Sequence, residues 1–103
     1  MNAARDARIL DVIRALDEGE VSTYGDIAET AGHPKLSRLV GRLLAVGVPD
    51  DELPWWRVVN AAGRLVPGHE AEQAALLRAE GVTVRDGRVV AAPVGRFRRP
   101  ARP

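Results

Sequence analysis

Residues Gly32-His33-Pro34 separate two stretches of helical apolar spacing, and so short a break forces the two helices to pack against each other. The first stretch opens at Thr23, a residue favoured at an N-cap. Asp26, three positions on, serves as a capping-box-like partner and puts negative charge in the first turn. Ile27, Ala28 and Ala31 face inward, and Gly32 closes the helix. Pro34 suits a first helical position, so the spacing predicts a further helix from there to about Val46, with Leu36, Leu39, Val40, Leu43 and Leu44 apolar. From His33 to Pro49 the only charges are Lys35, Arg38 and Arg42. A tight helix pair whose second member is basic and free of acids is the pattern of a helix-turn-helix.

The flanking segments complete one domain. Residues 4–16 place Ile9, Leu10, Val12, Ile13 and Leu16 on one stripe, which predicts an amphipathic helix stopped at Gly19. Residues 47–52 read as a loop, and residues 53–59 as a short extended segment, aromatic and β-branched, followed by a turn at 60–63. Residues 70–80 read as a helix ended by Gly81. Val82-Thr83-Val84 and Arg88-Val89-Val90 then flank Asp86-Gly87, a strong hairpin signal. The expected fold is mainly α with a small β-hairpin: a helix-turn-helix, winged-helix-like domain over residues 1–92. Residues 93–103, rich in Pro and Arg, are expected to form a basic, flexible tail.

With 103 residues the chain can bury one modest core, and its net charge of +1 gives no bulk electrostatic argument for nucleic acid. The charges are nevertheless uneven. No acid follows Asp86, whereas Arg88, Arg96, Arg98, Arg99 and Arg102 do. A GC-rich genome accounts equally well for the arginine excess, but not for where acids are missing. The chain holds no cysteine, which excludes disulfides, thiolate metal sites and thiol nucleophiles. The charged first residues do not read as a signal peptide and no apolar run approaches membrane-spanning length, so a cytoplasmic protein with no membrane partner is expected.

Little in the chain supports catalysis. His33 and His69 are isolated, Ser22 and Ser37 sit in no nucleophile pattern, and no glycine-rich loop cradles a phosphate. No catalytic residue, metal ligand or cofactor site is read. The aromatic residues are more informative. Trp55 and Trp56 are adjacent, and in an extended segment neighbours point to opposite faces. One indole can enter the core while the other walls a cleft onto which a base could stack, worth about 1–3 kcal/mol per base. Packing of both rings is the competing reading.

At this point the order of motifs resembles a known family. Residues 21–28 (Val-Ser-Thr-Tyr-Gly-Asp-Ile-Ala), Gly32-His33-Pro34, Ser37-Arg38-Leu39-Val40-Gly41, Pro54-Trp55-Trp56-Arg57-Val58-Val59-Asn60 and residues 76–82 look like the DNA-binding, C-terminal domain of the O6-alkylguanine-DNA alkyltransferases. The similarity runs from about residue 8 to residue 90. Active transferases read Pro-Cys-His-Arg where this chain has Pro54-Trp55-Trp56-Arg57, which makes the non-catalytic alkyltransferase-like proteins the better match. The resemblance implies binding of double-stranded DNA containing O6-alkylguanine by nucleotide flipping, and flagging of the lesion for nucleotide excision repair proteins, by a monomer.

It also implies roles for individual residues. Arg38 takes the place of the finger that fills the gap left by the flipped nucleotide, and Tyr24 that of the tyrosine that helps turn it out. Thr23, Lys35, Ser37, Gly41 and Arg42 complete the DNA-binding set. Tyr24, Leu44, Trp55, Trp56, Arg57, Val58, Val66, Pro67 and Gly68 are the expected lesion pocket, with backbone groups around Val58 and 66–68 as polar readers. Glu80 survives from the family's Cys-His-Glu relay, but its partners here are Trp55 and Trp56. An indole N–H only donates, so alkyl transfer has no acceptor and Glu80 is expected to be structural. Trp56 stands where most alkyltransferase-like proteins keep a histidine, and Leu36, Ser37 and Leu39 replace a run richer in alanine. Two other readings compete: a sequence-specific helix-turn-helix regulator without lesion recognition, and a transferase using another nucleophile, for which no activated side chain is found.

Overall fold

The computed structural model of the chain describes residues 2–46 and 53–98. Helix α1 (Ala3–Arg14) starts where the Asn2 side chain accepts the Arg5 N–H at 3.2 Å, and it buries Ile9 and Ile13 completely. Gly19 follows with φ +81°, a left-handed conformation that glycine adopts without steric cost. Strand β1 (Glu20–Thr23) then runs directly into α2 (Tyr24–Thr30). Thr23 stays extended and its hydroxyl accepts the Asp26 N–H at 3.1 Å, the expected N-cap. The Asp26 carboxylate does not complete a capping box, because Arg96 engages both its oxygens at 2.8 Å.

Helix α3 (Ser37–Val46) begins later than the spacing predicts. Residues 33–36 form a β-turn in which the Leu36 N–H bonds the His33 carbonyl at 3.0 Å. Proline's fixed φ serves the second position of such a turn as well as the first turn of a helix, and here the turn wins. The expected loop at 47–52 lies outside the described residues. A single 3-10 turn (Trp55–Arg57) leads into β2 (Val58–Val59). Helix α4 (Glu70–Ala79) is followed by the hairpin of β3 (Thr83–Arg85) and β4 (Arg88–Ala91). Asp86 (φ +54°) and Gly87 (φ +76°) are both left-handed, the pairing that a two-residue hairpin turn of type I′ demands.

The domain thus has the expected four helices' worth of helix-turn-helix and ribbon, plus a sheet that periodicity does not announce. That sheet has the order β2-β1-β5, with β5 formed by Val94–Gly95, and both pairings of β1 are parallel. It stands between two apolar clusters. Val58 packs with Ile9, Ile13, Ile27 and Val40 on the helical side, while its neighbour Val59 packs with Val21, Leu65, Leu77 and Val89 on the ribbon side. Alternation along β2 is what lets two consecutive valines serve two cores.

Residues 93–98 are therefore no free tail. Glu20 pairs with Val94 and Val21 with Gly95, the Arg96 N–H bonds the Val21 carbonyl at 3.0 Å, and Phe97 packs against the ribbon-side core. The close approach at Gly95, where a Cβ would collide with the Val21 carbonyl, explains how so short a strand seats there. The folded unit extends at least to residue 98, and residues 99–103 lie outside the described residues.

Candidate nucleic-acid interface and base pocket

Helices α2, α3 and α4 and the Trp55 turn enclose a cleft of about 370 Å³, within the range of ligand pockets. Its walls are Tyr24, Gly41, Leu44, Ala45, Trp55, Val66, His69 and Glu72. Five of these are expected pocket or DNA-facing residues. Ala45, His69 and Glu72 are additions. His69 precedes α4 and Glu72 lies in its first turn, so the two share one side of the helix start, with the imidazole 4.0 Å from the carboxylate.

The two indoles do occupy different surroundings, though not because the segment is extended. In a 3-10 turn successive side chains are rotated by a third of a circle, and the rings of Trp55 and Trp56 stand 6.3 Å apart at 89°. Trp55 walls the cleft, with its ring 6.0 Å from that of His69 and at 69° to it. Trp56 turns away and packs against the ribbon-side core.

The Trp56 indole N–H donates to Glu80 Oε2 at 2.7 Å, and the Arg57 guanidinium grips the same carboxylate through Nε (2.9 Å) and Nη2 (2.8 Å). Arg57 Nη1 also donates to the Leu16 carbonyl at 2.8 Å, and the Gly19 N–H donates to Glu80 Oε1 at 2.8 Å. The Arg57 guanidinium lies 5.3 Å from the centre of the Trp56 ring, a cation–π contact. Burial alone would push the Glu80 carboxyl upward, but Arg57, the Gly19 amide and Trp56 together outweigh it and hold the carboxyl below its ordinary range. Glu80 joins α4 to the Trp turn and to the bend after α1. It is structural here. Trp56 and Arg57 belong to this strut and not to the cleft wall, and Val58 is fully buried in the core, so three of the expected pocket residues do not line it.

Gln73, on α4 and completely buried, is the residue that the sequence did not single out. Its Oε1 accepts the Val66 N–H at 2.7 Å, and its Nε2 donates to the carbonyls of Trp56 (3.1 Å) and Val58 (3.2 Å). One side chain thus fastens the Val66 wall of the cleft and the backbone of residues 56 and 58 to the same helix. It also uses the backbone groups expected to read a base. The Val66 carbonyl accepts the His69 N–H at 3.0 Å, and the Gly68 N–H donates to Glu70 at 2.9 Å. Pro67 and Gly68 are exposed beside the cleft rather than among its lining residues.

On the expected DNA-facing side, Arg38 and Arg42 are exposed on one face of α3, one turn apart, and Lys35 is exposed in the turn before it. Among the described residues none of these three has an acidic partner. Ser37 is half-buried at the start of α3, and Gly41 lies under the Tyr24 ring, where a Cβ would approach to 3.8 Å. Tyr24 is half-buried, and burial pushes its phenol pKa up, so its hydroxyl stays protonated and able to donate. Thr23 takes the N-cap place expected of it. It is buried and its hydroxyl oxygen accepts the Asp26 N–H, capping α2.

A family model described as the DNA-binding domain of 6-O-methylguanine DNA methyltransferase matches residues 4–82. The DNA base-flipping protein of Vibrio parahaemolyticus is 40% identical over 81 residues, covering 77% of this chain and 81% of that protein. The DNA base-flipping protein of Escherichia coli is 42% identical over 80 residues, covering 75% of this chain and 61% of that protein. Alkyltransferase-like protein 1 of Schizosaccharomyces pombe is 33% identical over 81 residues, covering 75% of each. The crystal structure of S. pombe Atl1 with damaged DNA containing O6-carboxymethylguanine superposes with a TM-score of 0.72 at 31% identity, covering 80% of each chain. This chain, built on the DNA-binding domain of the methyltransferases and carrying no cysteine, belongs to the alkyltransferase-like family.

Proposed function

We propose that this protein binds double-stranded DNA at O6-alkylguanine, turns the damaged nucleotide out into the Trp55 cleft, and leaves the lesion chemically unchanged. One observation carries the reading: the cleft is walled by the Trp55 indole, which the motif resemblance puts in the place of the transferases' acceptor cysteine. An indole offers a stacking face and no nucleophile. An O6-alkylated guanine cannot pair normally, so it opens at lower cost than an intact base, and stacking on Trp55 offsets what remains. Tyr24, at the cleft and protonated, helps hold the nucleotide out. Arg38 fills the gap in the stack, while Lys35 and Arg42 contact phosphates. The bound protein acts as a monomer and marks the site for nucleotide excision repair proteins.

The test is an anisotropy titration of two duplexes that differ by a single O6-methylguanine, at fixed salt. The wild type should prefer the damaged duplex. Trp55→Ala should lose about 5- to 150-fold of that affinity, the equivalent of about 1–3 kcal/mol of stacking, and Arg38→Ala should lose the preference too. Equal affinity of the wild type for both duplexes would overturn the proposal and move the sequence-specific regulator to the front.

A further inference from the structure

Arg85 and Arg88 form the pair that closes the β3–β4 hairpin, and Arg64 is bridged to Arg88 from the other side. The Leu65 N–H bonds the Gly87 carbonyl at 3.1 Å and the Val89 N–H bonds the Gly63 carbonyl at 2.8 Å. These bonds flank Arg64 and Arg88 without joining them, so the two form the close, non-hydrogen-bonded type of pair, about 4.5 Å between Cα atoms. Residues in register across neighbouring strands project to the same face. The three guanidinium stems therefore stand in one row, Arg64, Arg88, Arg85.

All three residues are exposed, and among the described residues none has an acidic partner. Asp86, in the turn itself, is the only acid between Gly81 and Arg98. Like charges placed directly opposite destabilise a sheet, so the ribbon carries a repulsion that no ion pair within the described residues relieves. An anion would relieve it. The row also has a definite position, because Arg64 is two residues from Val66, a wall of the cleft, and two residues reach at most about 7 Å.

We propose that Arg64, Arg88 and Arg85 bind phosphates of the DNA strand that flanks the cleft, as a second electrostatic contact besides that of Lys35, Arg38 and Arg42. The inference rests on the DNA-binding reading above and adds a surface to it. Guanidinium forks match phosphate oxygens in pairs, and a row continuous with the cleft rim favours backbone phosphates over an acidic protein surface. Such contacts carry no sequence or lesion information, so they strengthen binding to damaged and intact DNA alike.

The experiment compares the wild type, the triple variant Arg64→Gln/Arg85→Gln/Arg88→Gln, and a control of equal charge change on α1, Arg5→Gln/Arg8→Gln/Arg14→Gln. Each is titrated with intact and O6-methylguanine duplexes over a salt series. Each phosphate contact contributes about 0.9 to the slope of log K against log salt, so the ribbon variant should lose about 2–3 of that slope on both duplexes. Its ratio of affinities for the two duplexes should stay that of the wild type, and the control should keep the wild-type slope. A ribbon variant with the control's slope would overturn the inference while leaving lesion binding intact, and would redirect the row to an acidic protein. Wild-type protein that binds neither duplex would overturn the DNA-binding reading itself, and this inference with it. Thermal unfolding at low salt checks folding: with the repulsion removed, the ribbon variant should melt no lower than the wild type.

Discussion

The indole N–H of Trp56 donates to the Glu80 carboxylate at 2.7 Å, across 24 residues of sequence. That bond settles where the bulk of a second tryptophan goes. It lies in the Glu80–Arg57 strut behind the cleft wall, so Trp56 narrows nothing in the cleft. The carboxylate has four donor groups around it and is fixed by all of them.

The strut makes stability depend on pH in a definite direction. The Glu80 carboxyl is held below its ordinary pKa of about 4.5, so its contribution is present above that unfolded value. It is lost as the pH falls through the lower, folded value. Thermal melts from pH 7 downward should show the wild type losing stability faster than Glu80→Gln. At pH 7 the variant should be less stable by about 3 kcal/mol, because it leaves Arg57 with a neutral partner in a largely buried site. Parallel pH curves for the two proteins would contradict this account.

Gln73→Leu removes the fastening of the Val66 wall and of the backbone behind Trp55 while keeping the volume roughly constant. It leaves the Val66 N–H and the Trp56 and Val58 carbonyls without that partner. Each buried polar group left unpaired costs about 1–3 kcal/mol. The expected result is a lower melting temperature, with weakened binding to damaged duplex and near-normal binding to intact duplex. Equal weakening on both would mean that Gln73 acts through general stability alone.

Gly41 sits inside α3, where glycine is about 1 kcal/mol less favourable than alanine. A Cβ there would meet only the Tyr24 ring, at ordinary contact distance. Gly41→Ala should therefore raise stability by up to about 1 kcal/mol and change DNA binding little. Gly41→Leu should displace Tyr24 into the cleft and abolish preference for the damaged duplex. A leucine variant that kept the preference would show that Tyr24 and Gly41 do not shape the lesion site.

Deleting residues 93–103 should lower the melting temperature even without DNA, because β5 and Phe97 leave with them. The exposed Arg96–Asp26 pair contributes little to this, so Arg96→Ala should shift stability by less than about 1 kcal/mol. An unchanged melting temperature after the deletion would mean that β1 does not need its second neighbour.

What could be read from the chain beforehand follows from how far apart the interacting residues lie. The helices were legible because their apolar stripes repeat within a few residues, and the ribbon because Asp86-Gly87 announces its own turn. Tyr24, Gly41, Leu44 and Val66 were legible as site residues only through the family resemblance, whereas Trp55 was also legible from its pairing with Trp56. The sheet was not, since strands of four, two and two residues are too short to show alternation and their pairings are long-range. Trp56 and Arg57 were misplaced because Glu80, which captures them, is more than twenty residues away. Pro34 carried a signal with two uses, and the turn took it in place of the expected helix start, whereas Thr23 caps α2 as its position announced. His69 and Glu72 left a trace that could have been followed, since they stand three apart at a helix start, just after Val66.

Both neighbours of β1 are made later than β1 itself, one at residues 58–59 and the other at 94–95. A nascent chain therefore carries an open-edged strand next to its helix-turn-helix for most of its synthesis. Open edges are templates for association with other chains, and pairings this distant in sequence are slow to form. A copy that stops before residue 94 therefore keeps one edge of β1 unpaired, an adhesive edge that the complete sheet covers.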